Sequence, residues 1–188
     1  MAFTYPDFSK TYCHAVQSLS DVHKHYHDEE YGYPIEDDNG LLGRLILEIN
    51  QAGLSWTTIL NKKENFFKAY DGFDIDTIAN YQEEDRLRLL NDAGIIRNKL
   101  KVNAAIHNAQ VIQELQNEHG SFKAWLDHHF PLTKDEWVKL FKKTFKFTGG
   151  EITGEFLMST GYLEGAHHPD CPHYQKTIDA GAKWATLR

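Results

Sequence analysis

Between Leu41 and Ala52 the apolar residues Leu41, Leu45, Ile46, Ile49 and Ala52 recur at spacings of three and four. That period predicts a helix with one buried face. Glu48 falls three after Leu45 and four before Ala52, on the edge of that stripe. Gly53 breaks the pattern and Trp56 follows just beyond it. A carboxylate at a stripe edge, a glycine break and an aromatic ring so close together read as the wall of a pocket. The plainer reading is a core helix whose Glu48 reaches water. Asp38 or Asn39 is the predicted cap of this helix.

The same period continues along the chain. A helical segment is predicted from Trp56 to about Lys63, and another to Tyr70. Asp71-Gly-Phe-Asp74 reads as a turn, with Asp74 capping a short helix through Tyr81. Residues 83–111 give two helices, one carrying Leu87, Leu89 and Leu90, the other Val102, Ala105, Ile106 and Ala109. Phe122 to Phe130 forms a further helix closed by Pro131. Thr133-Lys-Asp-Glu136 has the form of a capping box ahead of the stripe Trp137, Val138, Phe141 and Phe145. Gly149-Gly150 is expected to end that helix, and a last one runs from about Thr153 to Thr160. No segment alternates with period two, so the fold class is all-α. Residues 13–173 are expected to form a single domain between an irregular tail, 1–12, and a C-terminal tail, 174–188.

At 188 residues and 41% hydrophobic the chain can build one sizeable core. No apolar run approaches the roughly 18 residues of a membrane span. The start Met-Ala-Phe-Thr-Tyr-Pro is not a signal peptide, so the expected location is cytoplasmic. A net charge of -7 argues against a non-specific nucleic-acid binder. Local basic groups qualify that: Arg97, Lys99 and Lys101 in one place, Lys139, Lys142, Lys143 and Lys146 in another. Asn91–Arg97 is a short glycine-containing connection that opens a basic helix. Its backbone N–H groups near Gly94, with Arg97 and Lys99, suit a phosphate oxygen, although any helical hairpin with a glycine turn looks similar. Cys13 and Cys171 lie at opposite ends, where a cytosolic disulfide is not expected. Histidines gather around both, His14, His23, His25 and His27 around one and His167, His168 and His173 around the other, which points to a metal.

Several strings together resemble the bacterial 3-methyladenine DNA glycosylase I family, within the helix-hairpin-helix glycosylase superfamily. They are Tyr26-His27-Asp28 with Glu30-Tyr31-Gly32, Leu47-Glu48 with Gln51-Ala-Gly-Leu-Ser-Trp56, then Lys62-Lys-Glu64 and Asp92-Ala-Gly-Ile-Ile-Arg-Asn98. Phe145-Lys-Phe147 with Gly149, and Gly161, Leu163, His167 and Cys171, complete the likeness over about residues 13–171. It implies two helical lobes around a cleft, with Glu48 as the pocket glutamate and Tyr26 and Trp56 as base-contacting aromatics. Tyr31 and His23 fall at further aromatic positions of the pocket. Leu54 falls on the residue that plugs the gap left by a flipped nucleotide. Cys13, His27, His167 and Cys171 fall on four ligands of a structural zinc that ties the termini together. The expected partner is double-stranded DNA containing alkylated bases, and the expected state is a monomer. The sequence departs from the family at Ala15, where a tryptophan is usual, at His23, where a tyrosine is usual, and at Tyr31, where a tryptophan is usual.

The implied chemistry is hydrolysis of an N-glycosidic bond after base flipping. N3-methylated adenine is cationic, so π faces from Trp56 and Tyr26 and the charge of Glu48 favour it. No lysine is placed as a Schiff-base nucleophile, Lys99 and Lys101 reading better as phosphate contacts, which makes a monofunctional enzyme the expectation. The altered wall at Ala15, His23 and Tyr31 keeps a second reading open, a non-catalytic helix-hairpin-helix DNA-binding module. A metal-dependent hydrolase is a third, opposed by the closed set of four ligands, which marks structural zinc.

Overall fold

The computed structural model describes residues 3–188, which contain helices and no strand. No helix is long and apolar enough to cross a membrane among the described residues. The chain divides into two compact units. One combines the segment ending at Pro34 with Gly154–Arg188; the other is Ile35–Thr153.

The unit built from both ends of the chain starts with a short 3-10 turn at Phe8–Lys10, capped by Asp7. Helices α1, Tyr12–Ala15, and α2, Asp21–Glu29, follow. The predicted irregular N-terminal tail is therefore ordered in part: Tyr5 packs on the cluster of Tyr174, Ala182 and Trp184 and its hydroxyl lies 3.1 Å from that of Tyr174. The predicted C-terminal tail is a further helix, Pro172–Asp179, followed by the 3-10 segment Lys183–Leu187. Proline at its first turn starts this helix at no hydrogen-bond cost, and the burial of Tyr174 and Trp184 holds it.

The second unit carries α3, Asp38–Gln51, and α4, Trp56–Ala69. After them come α5, Ile75–Ala79, α6, Glu83–Asn91, and α7, Lys99–His119. Helices α8, Phe122–His129, and α9, Lys134–Thr144, follow. Helix α10, Gly150–Ser159, starts in this unit, and the Pro172–Asp179 helix is α11. Helix α7 packs against α3, α5, α6 and α8.

Helix α3 departs from the one-sided pattern. Every residue from Leu41 to Asn50 is buried, so the helix is covered all round and Glu48, 4% exposed, does not reach water. Asp37 rather than Asp38 or Asn39 is its cap, accepting from the Gly40 N–H at 2.7 Å. The Asp38 carboxylate turns instead to the start of α8 and accepts from the Phe122 and Lys123 N–H groups, which satisfies donors a helix start leaves open. Residues 56–69 form one helix, where two were predicted. The capping box of Thr133 and Glu136 forms as its sequence indicates. Helix α9 stops at Thr144, earlier than Gly149-Gly150, because Phe145 turns extended (φ -116°, ψ 159°) and its ring is buried.

Candidate active site and metal centre

The C-terminal end of α3 runs straight into a tight turn. Ala52 (φ -53°, ψ 119°) and Gly53 (φ 80°) have the dihedrals of a type II turn, which needs glycine at its third position. The Leu54 N–H donates to the Gln51 carbonyl at 2.8 Å and closes it. The turn leaves Leu54 39% exposed, a large apolar side chain presented to solvent. Ser55 then caps α4 through the Thr58 N–H, which fixes half-buried Trp56 at the first position of that helix. Glu48, Leu54 and Trp56 are thus set by one helix end, one turn and one cap. Arg44 lies one helical turn before Glu48 and is also buried, the spacing at which opposite charges on a helix are neighbours.

Lys101 holds this turn in place. Its side chain is buried and its Nζ donates to the carbonyls of Asn50, at 2.9 Å, and Ala52, at 2.7 Å. A cation thus caps the carbonyl end of α3. Burial pulls the Lys101 pKa below its ordinary value. The sequence groups Lys101 with Lys99 as phosphate contacts; the structure separates them, with Lys99 exposed.

The α6–α7 hairpin also differs in detail from its sequence reading. The Gly94 N–H is already spent on Asp92 Oδ1 at 2.7 Å. A side chain at Gly94 would meet Asp92 and Asn65, so this glycine serves packing. Lys62 Nζ donates to the Ala93 and Gly94 carbonyls and pins the turn to α4. Asn98 caps α7 by accepting from the Leu100 and Lys101 N–H groups. The N–H groups of Ile96 and Arg97 make no hydrogen bond to the protein among the described residues. They lie beside exposed Arg97 and Lys99. The backbone N–H groups left open among the described residues therefore lie two to three residues past Gly94.

In the other unit Tyr26 and Tyr31 are buried with ring centroids 5.5 Å apart. Tyr12, which no sequence signal singled out, completes the cluster; its edge meets the Tyr31 ring at 5.7 Å. Its hydroxyl lies 2.8 Å from His23 Nδ1. Burial lowers the His23 pKa below its ordinary value, so this ring is neutral at neutral pH.

Cys13, His27, His167 and Cys171 come together in that unit. All four are buried, with one candidate ligand atom from each within 4.8 Å of the others. Cys171 Sγ lies 3.6 Å from His167 Nδ1 and 3.7 Å from His27 Nε2, and Cys13 Sγ lies 3.7 Å from His167 Nδ1. A tetrahedral ion with zinc–sulfur and zinc–nitrogen bonds of ordinary length has nitrogen–sulfur edges of about 3.6 Å. The donor set and its spacing fit such an ion. The remaining ring nitrogens are occupied: His167 Nε2 faces the Tyr31 carbonyl at 2.7 Å and His27 Nδ1 faces Asp28 at 2.7 Å. Those contacts fix both tautomers with the free lone pair toward the cluster. Asp28 also faces His173 Nε2 at 3.2 Å, and Tyr33 faces His173 Nδ1 at 3.2 Å. The sequence counts His173 among the histidines near Cys171 and Asp28 within the Tyr26-His27-Asp28 string, but gives neither a role beside the four candidate ligands. Gly32, at φ 83°, lets this backbone approach, since a Cβ there would meet Ala166 at 2.8 Å. The hydrogen bond from Cys13 pulls the Cys171 thiol down and pushes Cys13 up. For His27, burial favours the neutral ring, but the contacts with Cys171 and Asp28 outweigh it and raise its pKa.

The sequence profile of the methyladenine glycosylase family matches residues 16–138. DNA-3-methyladenine glycosylase 1 of Escherichia coli (strain K12) is 36% identical over 157 residues, 73% of this chain and 84% of that protein. A crystal structure of 3-methyladenine DNA glycosylase I superposes with a TM-score of 0.74 at 34% identity, covering 82% of this chain and 95% of its own. The structure of 3-methyladenine DNA glycosylase I from Staphylococcus aureus, solved for its recognition of 3-methyladenine, gives a TM-score of 0.76 at 28% identity. That match covers 88% of this chain and 96% of the other, so the likeness extends over nearly the whole of that chain.

Proposed function

Because the chain belongs to the methyladenine glycosylase family, we propose that it hydrolyses the N-glycosidic bond of 3-methyladenine in double-stranded DNA after flipping the nucleotide. It is a DNA-repair glycosylase; the base, the flipping and the monofunctional mechanism are the parts proposed. The observation that carries the proposal is buried Glu48 at the end of α3, followed at once by the rigid turn that exposes Leu54 and by capped Trp56.

In this mechanism Leu54 fills the gap in the base stack, and the extruded base meets the π face of Trp56. Glu48 supplies a fixed negative charge for the cationic purine. Water attacks C1′ of the sugar as the bond to N9 breaks. The base takes both bonding electrons and leaves neutral, and the water loses a proton. No covalent enzyme intermediate is needed, and the lysines support that reading. Lys101 and Lys62 are engaged with backbone carbonyls, and Lys99 lies exposed at the hairpin. Arg97 and Lys99, with the Ile96 and Arg97 N–H groups, hold phosphates and set the register of the duplex.

Zinc on Cys13, His27, His167 and Cys171 belongs to the same proposal. A closed set of two thiolates and two imidazoles is a structural site. The ion would join the first and last segments of the chain and take no part in the chemistry. The test of function is release of free 3-methyladenine from alkylated duplex by the purified protein. A protein that binds the duplex but releases no methylated purine would be the non-catalytic module that Ala15, His23 and Tyr31 allow.

A further inference from the structure

The string Phe145-Lys-Phe147 has no part in the mechanism above. Phe147 is a phenylalanine at φ 61°, in the left-handed region that costs a non-glycine residue. Both of its neighbours are pinned. The Lys146 N–H donates to Asn108 Oδ1 at 2.8 Å, Asn108 Nδ2 donates to the Lys146 carbonyl at 3.1 Å, and Asn108 is fully buried. Buried Thr148 donates through its hydroxyl to the Phe141 carbonyl at 3.0 Å. The chain is thus held on either side of Phe147, whose ring is 38% exposed.

What lies behind the ring links it to the wedge. Lys101 Nζ sits 6.0 Å from the Phe147 ring centroid. The same ammonium holds the Ala52 carbonyl, two residues before Leu54. Two exposed apolar side chains, each on constrained backbone, are therefore fixed to one buried cation. Lys142 and Lys146 line the open hollow beside Phe147, with Thr148, Gly149 and Ile152. An aromatic platform flanked by lysines is the arrangement that takes an unstacked base and its phosphates.

We propose that Phe147 is a second DNA-contacting residue, which stacks on a nucleobase of the distorted duplex beside the gap that Leu54 fills, with Lys146 on the adjoining phosphate. This rests on the DNA-glycosylase reading and extends its interface to a segment outside the hairpin and the pocket.

The experiment uses a duplex with a tetrahydrofuran abasic analogue, 2-aminopurine beside it, and binding by wild type, Phe147→Ala and Phe147→Trp. Phe147→Gly is included because glycine accepts φ 61° without strain and keeps the ring-deletion test valid if the alanine variant folds poorly. Loss of one stacked base should raise Kd about fivefold to a hundredfold. The slope of log Kd against log salt should stay unchanged, because no charge is lost. Phe147→Trp should restore affinity, and 2-aminopurine should brighten only with the ring-deleted variants. Lys146→Gln should instead lower the salt slope by about one contact. Ring-deleted variants that bind within twofold of wild type, with the same 2-aminopurine signal, overturn the stacking role while leaving the glycosylase reading intact. A wild type that binds no duplex at all sinks both.

Discussion

Replacing Lys101 with methionine separates a structural cation from a phosphate contact. The side chain keeps its length and packing but loses two hydrogen bonds, of 2.9 and 2.7 Å, to the Asn50 and Ala52 carbonyls. Hydrogen bonds from a charged donor contribute about 1.5–3 kcal/mol each, so the gross loss is about 3–6 kcal/mol. Against this stands the desolvation of the ammonium, the burial that depresses its pKa, which methionine does not incur. A net loss of about 2 kcal/mol follows, equivalent to about 4–8 °C in Tm for a chain of this size. Melting followed by circular dichroism at 222 nm reads it directly. The turn that carries Leu54 should loosen as well, so binding to a duplex with an abasic analogue should weaken with its salt slope unchanged. A Tm within about 1 °C of wild type, with a salt slope lower by about one, would mean that Lys101 reaches for DNA and that the clamp is not formed in solution.

Protein purified without chelator should carry about one zinc per chain; its removal should lower Tm and loosen the two ends of the chain to proteolysis, and metal analysis that finds none refutes the staple. Arg97→Gln or Lys99→Gln should weaken binding to all duplex sequences alike and reduce the salt slope by about one each; an unchanged slope moves the phosphate contacts elsewhere. For His23 the sign follows from burial: the folded ring stays neutral while the unfolded chain takes up a proton near pH 6.5, so stability falls as pH drops below that value. His23→Gln should remove this increment, and its Tm deficit relative to wild type should shrink between pH 7.5 and 5.5; a deficit constant with pH contradicts the neutral buried ring.

Most helices between Leu41 and Ser159, and the residues on them, were legible in the sequence because they follow from local spacing. The stripe through Leu45, Ile46 and Ile49 locates α3, and Thr133 with Glu136 marks the start of α9. The Cys–His pairs at the two ends likewise come together in one buried cluster. Features set by contacts distant in sequence were not legible. A lysine at the start of a basic helix looks the same whether it meets a phosphate or, like Lys101, two carbonyls about 50 residues earlier. Asp37 and Asp38 are equivalent as caps until α8 arrives to claim the second. The order of residues 172–187 comes from the packing of Tyr174 and Trp184, which two isolated aromatics in a polar stretch do not reveal. Gly94 drew attention as a glycine in a turn, yet its N–H was already taken by a neighbour two residues away.

The central claim is that Glu48, buried at the end of α3, reads the charge of an alkylated purine. The direct measurement is chromatography with mass detection of the bases released from N-methylated duplex DNA by wild type and by Glu48→Gln. That substitution keeps the shape and most of the hydrogen bonding and removes the charge. Wild type should release 3-methyladenine, and the variant should do so about tenfold to a thousandfold more slowly, the scale of losing one preorganised electrostatic contact. Release of no methylated purine by wild type, or equal release by the two proteins, would contradict the account.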